Sequence, residues 1–337
     1  MRRVFAGKAC KAATLSNNSH KIWVLLDDQA GNRAQALGVV AALGLPVREI
    51  EIRYAGFAKI PNLLLGASVA GLNKASQANI KAPWPDMVIA AGRRTAPVAR
   101  WIKAQSDGHT RLVQIMDPGA GRAAFDLICR PAHDEGKPAD NIITINAAPH
   151  RFTDAKLREA RAAWEKHVAK LPTPRIAVMI GGSTRKHTFT DAMALELIMA
   201  AERAADAVGG SLMVTTSRRT GRAVDTIEMA LTGPHVLHRW DSDDDNPYVG
   251  FLALASAIIV TGESVSMCSE ACATGRPVYL FAPPGLISDK HARLHSNLIA
   301  GAHARPFEGT LDLGWQPERL DVASEIAAEI RVRGFVA

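Results

Sequence analysis

Three short polar stretches, "GGSTRKHT" (181–188), "TTSRRTG" (215–221) and "TGESVS" (261–266), collect the residue types that hold a phosphate. Gly181 and Gly182 allow backbone to come close to a bulky anion, Ser183 offers a hydroxyl, and Lys186 adds positive charge ahead of a helix start. Arg218 and Arg219, with Ser217 beside them, carry planar guanidinium forks that can take phosphate through two bonds. Ser264 and Ser266 are small hydroxyl residues just before a helix. Each loop alone also fits a tight strand-to-helix turn with solvated bases; three at one end of one domain favour an anionic, phosphate-bearing ligand.

Acid–base candidates lie in two other loops. His133 with Asp134 beside it, in "RPAHDE" (130–135), follows a strand and a proline and reads either as a base beside the ligand or as a surface histidine. Asp27 and Asp28 close the first strand and are the other base candidates. His150 and His295 read as structural groups or substrate contacts.

Several chemistries lose their main supports. No G-x-x-x-x-G-K-[ST] loop is present, no G-x-G-x-x-G follows the first strand, and "GESVS" lacks the second glycine of a serine-hydrolase elbow. The run "DSDDD" (241–245) reads either as a divalent-cation loop or, the favoured reading, as a solvated turn, and no metal or other cofactor is expected. Cys268 and Cys272 fall inside a helix without further ligands at metal spacing and read as core thiols.

The elements that must position these groups alternate. "KIWVLLDD" (21–28), "VREIEIRY", "PDMVIAAG" (85–92), "RLVQIMDP" (111–118), "FDLICRP" (125–131) and "NIITIN" (141–146) read as strands, with helices at 32–44 and in "TAPVARWIKAQ". After "KLPTP" (170–174) a second set begins with "RIAVMIGG" (175–182) and a long helix, and runs on through "SLMVTTS", "HVLHRW" and "AIIVTG". Apolar strands alternating with helices imply parallel sheets covered on both faces. The expected fold class is therefore α/β, with two Rossmann-like doubly wound domains facing a cleft. The expected boundaries are a flexible basic tail at 1–20, a first domain at 21–150 and a linker helix at 151–174. A second domain follows at 175–310, and a C-terminal helix within 311–337 packs back on the first. Ligands of such sheets bind outside the carboxyl ends of the strands, and the polar loops above all stand there.

With 337 residues and 47% apolar content, the chain can bury two ordinary cores. A net charge of +7 suits phosphorylated ligands or an anionic membrane surface, and without basic runs interleaved with aromatics no nucleic acid partner is expected. The segment 54–81 holds an apolar stretch from Ile60 to Leu72 flanked by Lys59, Lys74 and Lys81, too short to span a bilayer, which takes about 20 residues. It reads either as a buried helix or as a segment lying on an anionic membrane surface through residues 57–81.

The glycine turn, the basic second turn and "TGESVSMCSEACATGRPVYLF" resemble the nucleotide-sugar half of B-type-fold glycosyltransferases, among them the lipid-linked cell-wall N-acetylglucosaminyltransferase. That resemblance implies a nucleoside-diphosphate-sugar donor, with Glu270 accepting its ribose hydroxyls and Gly182, Ser183, Ser264 and Ser266 holding its diphosphate. "DDQAGNRAQALGVVAALG", "TTSRRTG", "NPYVGFLALASAIIVTGESVSMCSEACATGRPVYLF" and "HARPFEG" are together similar to the mitochondrial fission (elongated mitochondria) family over roughly residues 21–310. The expectation is a glycosyltransferase acting on a cell-envelope or lipid-linked acceptor, cytoplasmic and peripheral on the inner face of the cytoplasmic membrane. The alternatives are a non-catalytic membrane-surface adaptor and a nucleotide-sugar epimerase.

Overall fold

The computed structural model describes residues 21–55, 61–134 and 136–336. The basic tail at 1–20, and the stretch 57–60 of the expected membrane segment, lie outside the described residues.

The first sheet contains β1 (Ile22–Leu26), β2 (Val47–Glu51), β3 (Met87–Ala91), β4 (Arg111–Ile115), β5 (Leu127–Pro131) and β6 (Ile142–Ile145). Its helices are α1 (Ala30–Leu43), α2 (Asn62–Leu65), α3 (Lys74–Asn79) and α4 (Ala96–Gln105). Then α5 (Asp154–Trp164) leads to β7 (Arg175–Met179), α6 (Asp191–Ala207), β8 (Ser211–Thr215), α7 (Ala223–Ala230), β9 (His235–His238) and α8 (Tyr248–Leu254). The chain finishes with β10 (Ala257–Thr261), α9 (Val265–Cys272), β11 (Val278–Phe281), α10 (Asp289–Ala300), β12 (Arg305–Pro306) and α11 (Val322–Val332). Among the described residues these strands pair in parallel throughout, in the orders β2-β1-β3-β4-β5-β6 and β12-β11-β10-β7-β8-β9.

Parallel strands need covering on both faces, and the sequence meets that need. β1, β3, β8 and β10 are buried along their whole length, and each enclosed Leu or Ile contributes about 1.5–3 kcal/mol. Helix ends are set by short-range chemistry: Gly44, with φ 63°, closes α1 by donating to the Val40 carbonyl, and Thr190 caps α6 by accepting from the Met193 N–H at 3.2 Å. One apolar cluster runs through both domains, joining Leu26, Val113 and Ala147 to Met179, Cys268 and Ile326. Separate clusters back the far faces of the two sheets. Cys268 and Cys272 are buried in the shared cluster. α11 crosses back onto α1, where Arg331 Nη2 donates to the Leu43 carbonyl at 2.7 Å.

Residues 61–72 do not form one apolar helix. Only α2 forms, because Gly66 takes φ 59°, a backbone state that ends the helix after four residues. Leu63 and Leu64 of α2 stay 79% and 76% exposed, while Asn62 anchors the helix by donating to the Arg93 and Pro118 carbonyls at 2.6 and 2.8 Å. Among the described residues no helix is long and apolar enough to cross a membrane.

Candidate functional site

Strand order reverses beside β1 in the first sheet and between β7 and β10 in the second. A doubly wound sheet opens a crevice at such points. In the first domain the carboxyl end of β1 supplies Asp27, and that of β3 leads into Arg93-Arg94-Thr95. In the second domain β7 leads into Gly181-Gly182, β10 into Gly262-Glu263, and neighbouring β8 into Arg218-Arg219-Thr220.

The second crevice is bridged by Glu263, a residue that the sequence reading passed over. Its side chain is buried; Oε1 accepts the Gly182 N–H at 2.7 Å and lies 3.2 Å from Arg219 Nη2, while Oε2 is buried without a partner. Burial pushes its carboxyl above the ordinary value, against the pull of Arg219. The remaining amides of the glycine turn are also committed. Gly181 N–H goes to Thr261 Oγ1 at 2.8 Å, Ser183 N–H to the Arg219 carbonyl at 2.9 Å, and the Ser183 hydroxyl accepts from the Phe189 N–H at 3.0 Å. Ser217 donates to the Gly181 carbonyl and accepts from the Arg219 N–H. The space the two glycines leave is filled by the protein: a β-carbon on Gly181 would overlap the Glu263 carboxylate, and one on Gly182 the Arg219 backbone. The space beside this turn is thus occupied by the Glu263 carboxyl, because strand order sets β10 next to β7.

The groups that do face outward are Lys186 and Arg218, which are exposed, and Arg219, which is half-buried. Close by stands His291, whose imidazole is lowered by burial and by the neighbouring His295, Lys290, His187 and Arg219. Ser264 begins α9 without a side-chain cap, and α1 begins at Gln29 equally uncapped. The two helix starts meet: a β-carbon on Gly31 would sit 3.6 Å from Ser266 Oγ. First-turn N–H groups have no intrahelical acceptor, so both ends offer donors and positive potential at the domain junction.

Glu270 points elsewhere. It is held on α9 against α8, where Tyr248 O–H donates to its Oε2 at 2.7 Å, and the Lys156 charge of α5 bears on it. Burial raises its carboxyl above the ordinary value. Among the described residues no hydrogen bond or ion pair joins Glu270 to Arg219 or to the glycine turn; its side-chain partner is Tyr248.

The base candidates fall into two groups. Asp27 is buried and satisfied by the Gln29 N–H at 3.0 Å and Asn32 Nδ2 at 2.9 Å, with Arg94 Nη2 at 3.6 Å; burial raises its carboxyl. Asp28 is exposed and paired with Arg94. His133 is buried, not a surface histidine, and is held at the junction: its carbonyl accepts from Arg293 Nε of α10 at 3.1 Å, and Asp134 pairs with Lys290 at 2.6 Å. Burial, helped by Lys290, lowers the His133 imidazole to about 4, so it is neutral near pH 7, and its Nδ1 is a buried nitrogen without a partner. His150 and His295 are structural: their Nε2 atoms lie 3.2 Å from the Leu320 carbonyl and 2.8 Å from the Gly262 carbonyl.

A profile described as mitochondrial fission ELM1 matches residues 30–333. An uncharacterized protein of Rickettsia prowazekii is 32% identical over 328 residues, covering 87% of this chain and 92% of the relative. The chain belongs to the mitochondrial fission ELM1 family. A second family relative, the mitochondrial fission protein ELM1 of Arabidopsis thaliana, is 29% identical over 293 residues, spanning 80% of this chain and 68% of that one. Among solved structures, the UDP-GlcNAc 2-epimerase of Methanocaldococcus jannaschii superposes with a TM-score of 0.55 at 10% identity, covering 94% of this chain and 100% of that one. The glycosyltransferase of kitacinnamycin does so with 0.52 at 13%, covering 94% and 93%. At such identities the likeness is one of fold, and it makes this family member a two-domain B-type α/β protein.

One sequence signal for the missed residues was present. "RRT" occurs twice, at 93–95 and 218–220, each time just past a strand, and both copies form a single 3-10 turn. The second arginine of each copy faces a buried carboxylate, Asp27 or Glu263. The threonines differ in their partners: Thr95 bonds back to the end of its own strand, to the Gly92 carbonyl at 2.8 Å, whereas Thr220 reaches across to the end of the neighbouring β7, to the Gly181 carbonyl at 2.9 Å.

Proposed function

We propose that this chain binds a nucleoside-diphosphate-sugar at the domain junction and transfers the sugar to a cell-envelope or lipid-linked acceptor. The observation that carries this reading is the meeting of two uncapped helix starts, α1 and α9, with Arg219 alongside. Each helix end carries roughly half a positive charge, and together with a guanidinium they suit a diphosphate. The same groups would stabilise the charge that builds on a departing diphosphate. His133, neutral and with a bare Nδ1, is the base that could take a proton from an acceptor hydroxyl. No metal or cofactor enters this scheme. The M. jannaschii neighbour is by name a UDP-GlcNAc epimerase, which makes uridine nucleotides the first probes to use.

Two observations favour a non-catalytic adaptor as the second reading: the glycine-turn amides are all satisfied internally, and Glu270 is engaged by Tyr248. Titration calorimetry with UDP and UDP-GlcNAc, followed by product analysis with and without a membrane extract, separates the readings. Binding with acceptor-dependent release of UDP supports transfer. Conversion of the sugar without acceptor identifies an epimerase, and absence of binding by a panel of nucleotides leaves the adaptor.

A further inference from the structure

We infer that the glycine pair of the second domain is a socket for the protein's own carboxylate, and that Glu263, seated in it, is the positioning residue presenting Arg219 to an anionic ligand. The ligand half of this statement rests on the function proposed above; the socket half does not. Three observations carry it. All three amides from Gly181 to Ser183 are spent within the protein, one of them on Glu263. Neither glycine has room for a β-carbon, because Glu263 and the Arg219 backbone fill the space. Arg219 is 38% exposed above a carboxylate that is wholly enclosed, so the pair has one buried and one outward-facing member.

A neutral acceptor would suffice for the Gly182 N–H. The charge is required for the guanidinium, whose bond to a carboxylate is both stronger and more directional. With one Nη2 contact made below, the other guanidinium N–H groups are left for the junction. The first domain carries a looser form of the device: Asp27 is enclosed with Arg94 3.6 Å away, an Arg-Arg-Thr turn delivers that arginine, and its hydrogen bond goes to the exposed Asp28. Its stand-in for the glycine pair is Gly92, where a β-carbon would overlap the Asn32 amide that donates to Asp27. Both Arg-Arg-Thr turns thus bring their second arginine beside an enclosed carboxylate, and in the second domain that carboxylate hydrogen-bonds the guanidinium directly.

Two measurements test this. The first is a thermal-stability cycle. Gly181→Ala is expected to lower the melting midpoint by roughly 5 °C in the native background, and to cost little when Glu263→Ala has emptied the socket. Additive costs would overturn the socket. The second is UDP affinity by calorimetry. Glu263→Gln keeps the shape and the Gly182 acceptor, so its circular dichroism and midpoint should stay close to native while UDP binding weakens by about tenfold, the scale of one lost charge-assisted contact. In an Arg219→Ala background the same substitution should change UDP affinity no further. Unchanged or tighter binding by Glu263→Gln would overturn the positioning role, since it would mean the carboxylate only repels the ligand. If the native protein binds neither UDP nor UDP-GlcNAc, the functional reading and the positioning role fall together, while the stability cycle still decides the socket.

Discussion

Glu263 accepts the backbone N–H of Gly182 at 2.7 Å across the crevice between β7 and β10. With the Gly181 N–H to Thr261 Oγ1 bond at 2.8 Å, that bond ties together the carboxyl ends of two strands far apart in sequence, so the glycine turn carries the fold before it can be a feature of any ligand site.

Gly182 should be the least replaceable glycine of the second domain. Its φ of 125° is a state side chains rarely adopt, and its missing β-carbon faces rigid backbone at Arg219. Gly182→Ala is expected to cost about 3 kcal/mol or more in urea denaturation, against about 1 kcal/mol for Gly221→Ala, where φ is 58° and the surrounding space is open.

The legibility of the fold and of the site differed, and for a physical reason. Runs such as "IWVLL", "MVIAA" and "AIIVT" announce parallel strands because both faces must be apolar, and all three are fully buried. Local punctuation was harder to weigh: Pro61 and Gly66 cut an apolar stretch that composition alone would extend into a helix. Glu263 was hidden because its role depends on which strand lies beside β10, and no local pattern carries strand order. Helical periodicity put Glu270 on α9 but could not say that α8 would supply Tyr248.

Tyr248→Phe should remove the donor to a half-buried carboxylate and cost about 1–3 kcal/mol. Glu270→Gln, whose amide oxygen can still accept from Tyr248, should cost less. Equal costs in chemical denaturation would mean the Tyr248 bond is not what satisfies this carboxylate.

Acid stability should respond to His133. Its folded imidazole is depressed to about 4 by burial, so the stability linked to it is complete above the unfolded value near 6.5 and is lost as pH falls toward about 4. One such group gives a slope of at most about 1.4 kcal/mol per pH unit. The carboxyls of Asp27, Glu263 and Glu270, raised by burial, act oppositely: their linked stability is present below the unfolded value and fades as pH rises through the folded one. His133→Gln should therefore flatten the urea midpoint profile between pH 6.5 and 4. A parallel profile in the variant would contradict the assignment.

Leu63→Ser with Leu64→Ser should leave the melting midpoint within about 2 °C of native, because both side chains are already in solvent. If α2 touches an anionic bilayer, as the membrane reading holds, sedimentation with phosphatidylglycerol vesicles should fall in this variant. Retention would place any membrane contact elsewhere.

α11 leaves the second domain and lies on α1 of the first, tied by Arg331 to the Leu43 carbonyl. Mechanically, the first domain thus holds both β1 and α11, and the second is an insertion gripped at two points. Fluorophores at Lys21 and Arg333 would keep a constant separation through any hinge motion, whereas a pair at Asp28 and Lys186 would register it.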